Sequence, residues 1–183
     1  MILPITQYGD PVLRKVCTPI TPEYPELKKL IDDMFETMYN ASGVGLAAPQ
    51  VGLTIRMFVV DAEPMDEENL KGFKKVFINA QIIEEKGNKW AYNEGCLSIP
   101  GIREDVNRKE EITIEYVDEN FEPHKEVYNG KLARVIQHEY DHIEGKLFVD
   151  YLSGLKREML KGRLSDITKG RADVDYKIRL PRR

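Results

Sequence analysis

Apolar residues recur at steps of three and four over residues 25–39, where Leu27, Leu30, Ile31, Met34, Phe35, Met38 and Tyr39 form one continuous stripe. That period predicts an amphipathic helix with one buried face. Asn40, Ser42 and Gly43 supply its stop, since Asn and Gly tolerate the backbone that closes a helix. The next segment, Gly43-Val44-Gly45-Leu46-Ala47-Ala48-Pro49-Gln50, has no clear period. It is too apolar for an exposed loop and too rich in Gly for a regular element, and it suits a close approach of backbone to another group. Residues 53–60, rich in β-branched and aromatic side chains, predict a strand, and residues 61–75, with Pro64 and several acids, a surface insertion. A strand pattern returns over 76–85, interrupted near Asn79 and Ala80. Ile112, Ile114 and Tyr116 alternate with Thr113 and Glu115, as in a half-buried strand. Asp118-Glu119-Asn120 reads as a turn and 125–128 as the returning strand. A second strong helix is predicted over 131–143, ending at Gly145, and a third from Leu152, with Ser153 as N-cap and Leu155, Met159 and Leu160 as apolar contacts. Gly162 and Gly170 weaken the later part of that helix. This order of elements predicts an α+β fold rather than an alternating βαβ one.

The chain has 183 residues, enough for one domain with a proper core, and 42% hydrophobic with 32% charged residues argues against disorder. No apolar run is long enough to span a bilayer, and the start, Met1-Ile2-Leu3-Pro4-Ile5, resembles neither a secretory signal nor a transit peptide. The expectation is a cytoplasmic protein and a monomer. Its two cysteines, Cys17 and Cys96, make no disulfide framework, and Cys17 reads as a small buried apolar residue. The net charge of −4 is uneven: residues 154–183 hold ten basic and four acidic side chains, and the other 153 residues hold 17 basic and 27 acidic. A basic tail on an acidic body attracts nucleic acid or a ribosome surface, or simply stays solvated. The boundaries read as a catalytic domain over 1–160 and a basic extension over 161–183, partly disordered.

The string His138-Glu139-Tyr140-Asp141-His142 carries the chemistry. Histidines four apart on a helix project from one face, about one turn apart, so that both imidazoles reach one ion. Glu139 sits roughly 100° round, placed for a water on that ion rather than for the ion itself. At about 100° per residue, Val135, Leu132, Ile143 and Ile136 share the arc of His142 and Glu139, whereas Arg134, Gln137 and Asp141 fall outside it. The histidines and Glu139 are therefore expected to face the core. Two buried histidines with a buried carboxylate and no metal would be costly. His124, near Glu122-Pro123, has no such pattern and reads as a surface residue.

A catalytic site of this kind needs a third protein ligand. The position six residues after His142, a His in metzincin-type proteases, is Phe148 here. Glu158, on the later helix, would make the protein a zinc endopeptidase. Cys96, in Glu94-Gly95-Cys96-Leu97-Ser98, would complete an open Cys-His-His set. Spacing alone leaves both open, together with a non-catalytic binding module.

Three segments together resemble one family. Gly43-Val44-Gly45-Leu46-Ala47-Ala48-Pro49-Gln50, Glu94-Gly95-Cys96-Leu97-Ser98 and Gln137-His138-Glu139-Tyr140-Asp141-His142 look like the signature motifs of peptide deformylase, in that family's order. The likeness runs from about Leu3 to Lys156 and is greatest to the bacterial class with a helical C-terminus. It implies a single α+β domain with the metal-binding helix packed among antiparallel β-sheets, flanked by an N-terminal and a C-terminal helix. It implies removal of the N-formyl group from the initiator Met of nascent polypeptides, releasing formate. Cys96, His138 and His142 would be the ligands of one divalent ion, usually Fe²⁺ in the family, with Zn²⁺, Ni²⁺ or Co²⁺ as alternatives that the ligand set also accepts. Glu139 would be the general base, and the Gln50 amide and Leu97 N–H would meet the oxyanion. Val44, Val135 and Tyr92 are candidates for the Met pocket, with Gly45 letting the peptide backbone lie close. Arg134 stands where an apolar residue often faces the groove. The basic C-terminal region would dock on the ribosome.

Overall fold

The computed structural model describes residues 1–182. In chain order the elements are β1 (Ile5–Thr6), α1 (Leu27–Asn40), β2 (Gly45–Ala47), β3 (Met57–Asp61), β4 (Lys74–Cys96), β5 (Ile99–Val117), β6 (Pro123–Asn129), α2 (Gly130–Ile143), α3 (Gly154–Thr168) and β7 (Ile178–Arg179). Five strands make one antiparallel sheet in the order β2-β3-β4-β5-β6, and β1 pairs with β7 as a separate parallel pair. The architecture is α+β, and the helix bearing His138 and His142 lies against that sheet, with Ala133, Val135, Ile136 and Ile143 in one core with Phe58, Phe77, Ile112 and Ile114. The stripe on α1 closes a second core, where Ile31, Met34, Phe35 and Met38 meet Leu46, Met57, Val59 and Ile78. No helix among the described residues is long and apolar enough to cross a membrane.

Several elements differ from the periodicity-based expectation. Residues 45–47 are a strand after all: β2 pairs with β3, Gly45 opposite Val60 and Ala47 opposite Phe58. It is buried throughout, so it shows none of the alternation that marks a half-exposed strand. Of the strand expected over 53–60, only residues 57–60 pair in the sheet, and Asp61 extends it by one. The strand expected over 76–85 runs on to Cys96, and β5 begins at Ile99, so the two form a long hairpin. The middle of β4, about Lys86 to Ala91, is exposed almost throughout, so backbone pairing rather than a buried face defines it. The interruption near Asn79 is a bulge. Asn79 has φ 54°, the register shifts between Ile78 and Gln81, and its side chain bonds Ile20 N and O, each at 2.8 Å.

Two expectations about helix faces are corrected. Leu155 and Met159 are exposed at 74% and 71%; the contacts of α3 are Leu160, Leu164 and Ile167. The helix passes through Gly162, whose cost of about 1 kcal/mol is smaller than the ~1.5–3 kcal/mol gained by each fully buried aliphatic side chain. Ser153 does cap it, accepting from Lys156 N at 3.2 Å. On α2, Arg134, Gln137 and Asp141 do not face solvent but are buried, Arg134 at 1% exposure.

Candidate metal centre

The long hairpin and α2 build the site together. At the hairpin's tip, Gly95 pairs with Arg103 but Cys96 pairs with Ile99, so three residues of β5 bulge out around Gly101, at φ 76°. This bend aims Cys96 at the face of α2. One ligand atom from each of Cys96, His138 and His142 lies within 4.8 Å of the others, with Cys96 Sγ 3.4 Å from His142 Nε2. His138 Nδ1 is 2.9 Å from Glu94 Oε1, which leaves Nε2 for the cluster. Burial pushes the His142 pKa well below the ordinary imidazole value, with the charge of His138 adding to the effect. Burial acts the same way on His138, but its contacts with Cys96 and Glu94 overcome that and shift it the other way, well above that value, so an ion binding there displaces its extra proton. This set fits a divalent ion: a sulfur and two imidazole nitrogens, all ordinary ligand atoms, converge on one point beside a cavity. Glu158 stands far from this role, exposed on α3 and 3.7 Å from Lys161.

Glu139 lies beside the ligands but outside their set. Its Oε2 is buried and has no hydrogen-bond partner among the described residues. Burial pushes its carboxyl up to about 7, so it exchanges a proton near neutrality. Space for it depends on Gly45: a Cβ there would lie 2.5 Å from Glu139 Oε1 and 2.7 Å from its Cγ. Gln50, 1% exposed, accepts from Ala47 N at 3.0 Å through its carbonyl oxygen. That bond turns its NH₂ toward Ser98 Oγ at 3.2 Å and Cys96 Sγ at 3.5 Å. Leu97 follows Cys96 at the hairpin tip, and its carbonyl accepts from Gln7 Nε2 at 3.2 Å and the Tyr176 hydroxyl at 2.8 Å.

A cavity of about 850 Å³ opens over Cys96, His138 and Glu139. Its walls include Val44, Gly45, Gln50, Tyr92, Leu97 and Val135. His142 sits behind it at 1% exposure. The structure thus brings together Cys96, His138, His142, Glu139, Gln50, Leu97, Val44, Gly45, Tyr92 and Val135, and leaves Glu158 apart. Arg134 also reaches this cavity, but its guanidinium is bound beneath. Cys17 is buried and burial pushes its thiol up to about 11. His124 is half-buried, with Asp118 Oδ2 at 2.7 Å.

The sequence motifs did not disclose the group beneath the candidate ligands. Glu94, 4% exposed at its side chain, accepts from Arg108 Nε at 2.8 Å and Nη2 at 3.0 Å, and from Arg134 Nη1 at 3.1 Å. Arg108 Nη1 in turn donates to Asp141 Oδ2 at 2.6 Å. Burial works against the Glu94 carboxylate, but the His138 and Arg108 contacts overcome it and hold its pKa down to about 2. Two guanidinium groups and two carboxylates thus balance in the interior. A sequence signal existed: at about 100° per residue, Arg134 and Asp141 fall within roughly 20° of one another, on the flank of His138.

Comparison with known proteins bears directly on this geometry. A family model described as Polypeptide deformylase matches residues 2–158. The chain is 57% identical to a peptide deformylase of Flavobacterium johnsoniae, over 98% of this chain and 96% of the relative. It is similar to the crystal structure of a peptide deformylase from Legionella pneumophila, at 40% identity and TM-score 0.81, over 92% of this chain and 96% of that one. The crystal structure of peptide deformylase from Thermus thermophilus matches at 40% identity and TM-score 0.83, over 93% of this chain and 99% of that one.

Proposed function

From the premise that the chain belongs to the peptide deformylase family, we propose that Cys96, His138 and His142 hold its catalytic ion and Glu139 is its general base. The protein is a metal-dependent hydrolase that removes the N-formyl group from the formyl-methionine of newly made polypeptides. The observation that carries the residue assignment is the convergence of three ligand atoms beside a buried, partnerless carboxylate oxygen.

A divalent ion at this set supplies Lewis acidity and makes water acidic near neutral pH. Glu139 takes a proton from the attacking water and delivers it to the departing amine, so water and the formyl amide become formate and a free N-terminus. The Gln50 NH₂ and the Leu97 N–H donate to the carbonyl oxygen as its charge grows. β2 is an edge strand of the sheet, so its free side accepts the peptide backbone as an added strand beside Gly45. Val44, Val135 and Tyr92 enclose the Met side chain.

The native ion in this reading is Fe²⁺, with Zn²⁺, Ni²⁺ and Co²⁺ able to occupy the same ligands. The protein acts in the cytoplasm as a monomer. Residues 1–160 form the catalytic unit, and 161–183 a basic extension that reaches the ribosome. Exposed Arg163, Lys169, Arg171 and Lys177 support that contact. The test uses protein prepared without oxygen, scored for metal content and for release of formate from formyl-Met-Ala-Ser. Iron in stoichiometric amount, with activity lost on exposure to air, is expected. Zinc at one per chain with full, air-stable activity would overturn the iron assignment. Ribosome co-sedimentation that survives deletion of residues 163–183 would overturn the docking assignment.

A further inference from the structure

The wall of the cavity includes chain that lies beyond the 2–158 span of the family model. Asp173, Val174, Asp175 and Tyr176, from the segment after α3, line the same cavity as Cys96 and Glu139. This segment is fastened at several points. β7 pairs with β1, Ile5 opposite Ile178 and Thr6 opposite Arg179. Ile5 N donates to Lys177 O and Gln7 N to Arg179 O, each at 2.9 Å. The Tyr176 hydroxyl donates to Leu97 O at 2.8 Å, directly beside the ligand Cys96. Burial alternates along it: Ala172, Val174, Tyr176 and Ile178 are half-buried, while Asp173, Asp175 and Lys177 are exposed. The chain bends at Ala172 and again at Asp175 and Tyr176 before Ile178 and Arg179 join β1.

The charge of this wall follows from which side chains are already engaged. Arg134 is consumed beneath the site by Glu94, and Arg103 is turned onto Asn93, donating to Oδ1 at 2.8 Å and to the carbonyl at 3.2 Å. Asp173 and Asp175 have no ion-pair partner among the described residues. The segment therefore brings two carboxylates without an ion-pair partner among the described residues to the wall of a groove whose Arg134 is paired with Glu94 and whose Arg103 is hydrogen-bonded to Asn93.

We propose that residues 173–176 form the outer wall of the substrate groove and set its charge preference, favouring formyl-Met peptides whose next residues are lysine or arginine over those with aspartate or glutamate. The proposal rests on the reading that this cavity receives the peptide. Asp173 and Asp175 act on binding, not on the reacting atoms, so their effect falls on KM.

The experiment compares the metal-loaded full chain with its Asp173→Asn/Asp175→Asn and Asp173→Lys/Asp175→Lys variants. Each is assayed at low salt on formyl-Met-Ala-Ala, formyl-Met-Lys-Lys and formyl-Met-Glu-Glu. The unaltered protein should prefer the Lys peptide through KM. The neutral variant should narrow the Lys-to-Glu ratio of kcat/KM by about fivefold, the effect of two exposed ion pairs, and the reversed variant should invert it. Raising the salt should draw the original ratio toward one. Activity on formyl-Met-Ala-Ala is the reference against which each protein's Lys and Glu values are read. A ratio unchanged in both variants overturns the proposal, including the case where all three peptides slow in proportion. Failure of the unaltered protein to deformylate any of the peptides would sink the groove assignment itself, and is read separately from the ratio.

Discussion

Glu94→Gln is the substitution on which the structure makes its largest claim. The carboxylate accepts four contacts between 2.8 and 3.1 Å, two from Arg108, one from Arg134 and one involving His138 Nδ1. With Asp141 it neutralises two guanidinium groups buried at 6% and 2% side-chain exposure. The isosteric amide keeps the volume but removes one negative charge and turns an NH₂ toward donors. Breaking a buried pair by removing one partner costs about 3–5 kcal/mol, because the other charge stays behind. The lower end applies here, since Arg108 keeps Asp141 and Arg134 keeps the carbonyls of Val106 and Trp90. About 3 kcal/mol in a chain of this size lowers Tm by roughly 6–12 °C. His138 also loses the anion that fixes its ring, which should weaken metal binding by about 10- to 100-fold.

Bound metal raises Tm by mass action, so the two effects must be separated. Calorimetry on metal-stripped protein reads the charge term, and competition against a chelator of known affinity reads the metal term. A metal-free Tm within about 2 °C of the original would refute the electrostatic accounting, since ordinary surface changes have effects of that size. An unchanged Kd for the metal would refute the claim that Glu94 orients His138.

Glu139→Gln should retain the metal and lose about 10²- to 10⁴-fold in kcat, without loss of stability, because the carboxylate has no hydrogen-bond partner to forfeit among the described residues. Near-full turnover, measured as formate release, would remove Glu139 from the mechanism. Gly45→Ala should act through that same carboxylate. The added Cβ falls 2.5 Å from Glu139 Oε1, so the side chain must move and kcat should drop by about 10²-fold. A crystal structure of the variant with Glu139 unmoved would refute that route. In native metal-stripped protein, one thiol per chain should react with a disulfide reagent at pH 8, and two after denaturation. Half-buried Cys96 is within reach, whereas Cys17 is 3% exposed with its pKa pushed up to about 11. Two reactive thiols in the native state would contradict its burial.

What was legible in the sequence is what one buried face imposes. α1 and α2 show helical periodicity because each packs one face on the sheet, and Ile112, Ile114 and Tyr116 alternate because β5 has a core side there. β2 is buried throughout and the middle of β4 is exposed almost throughout, so both lack the contrast from which periodicity is read. His138 and His142 follow from their spacing on a helix, whereas Cys96 became more than an isolated thiol only through its motif.

The error over Arg134 and Asp141 has the same origin as the error over the hairpin. A helix face carrying an arginine and an aspartate reads as solvated only if nothing beside it holds countercharges. Here β4 brings Glu94 and β5 brings Arg108 against that face, and those are the strands whose extent periodicity understates. α2 is consequently buried on both flanks of its metal-facing residues. Val135, Ile136 and Ile143 pack on one side, and balanced charges lie on the other. An apolar second flank would have satisfied the core equally well, and replacing buried ion pairs by apolar groups is often stabilising. It would not have supplied an acceptor for His138 Nδ1. The buried charges are therefore explained by the metal ligand they orient rather than by stability, and the hairpin extends as far as it does along α2 because it must deliver Arg108, Glu94 and Cys96 to one helix face.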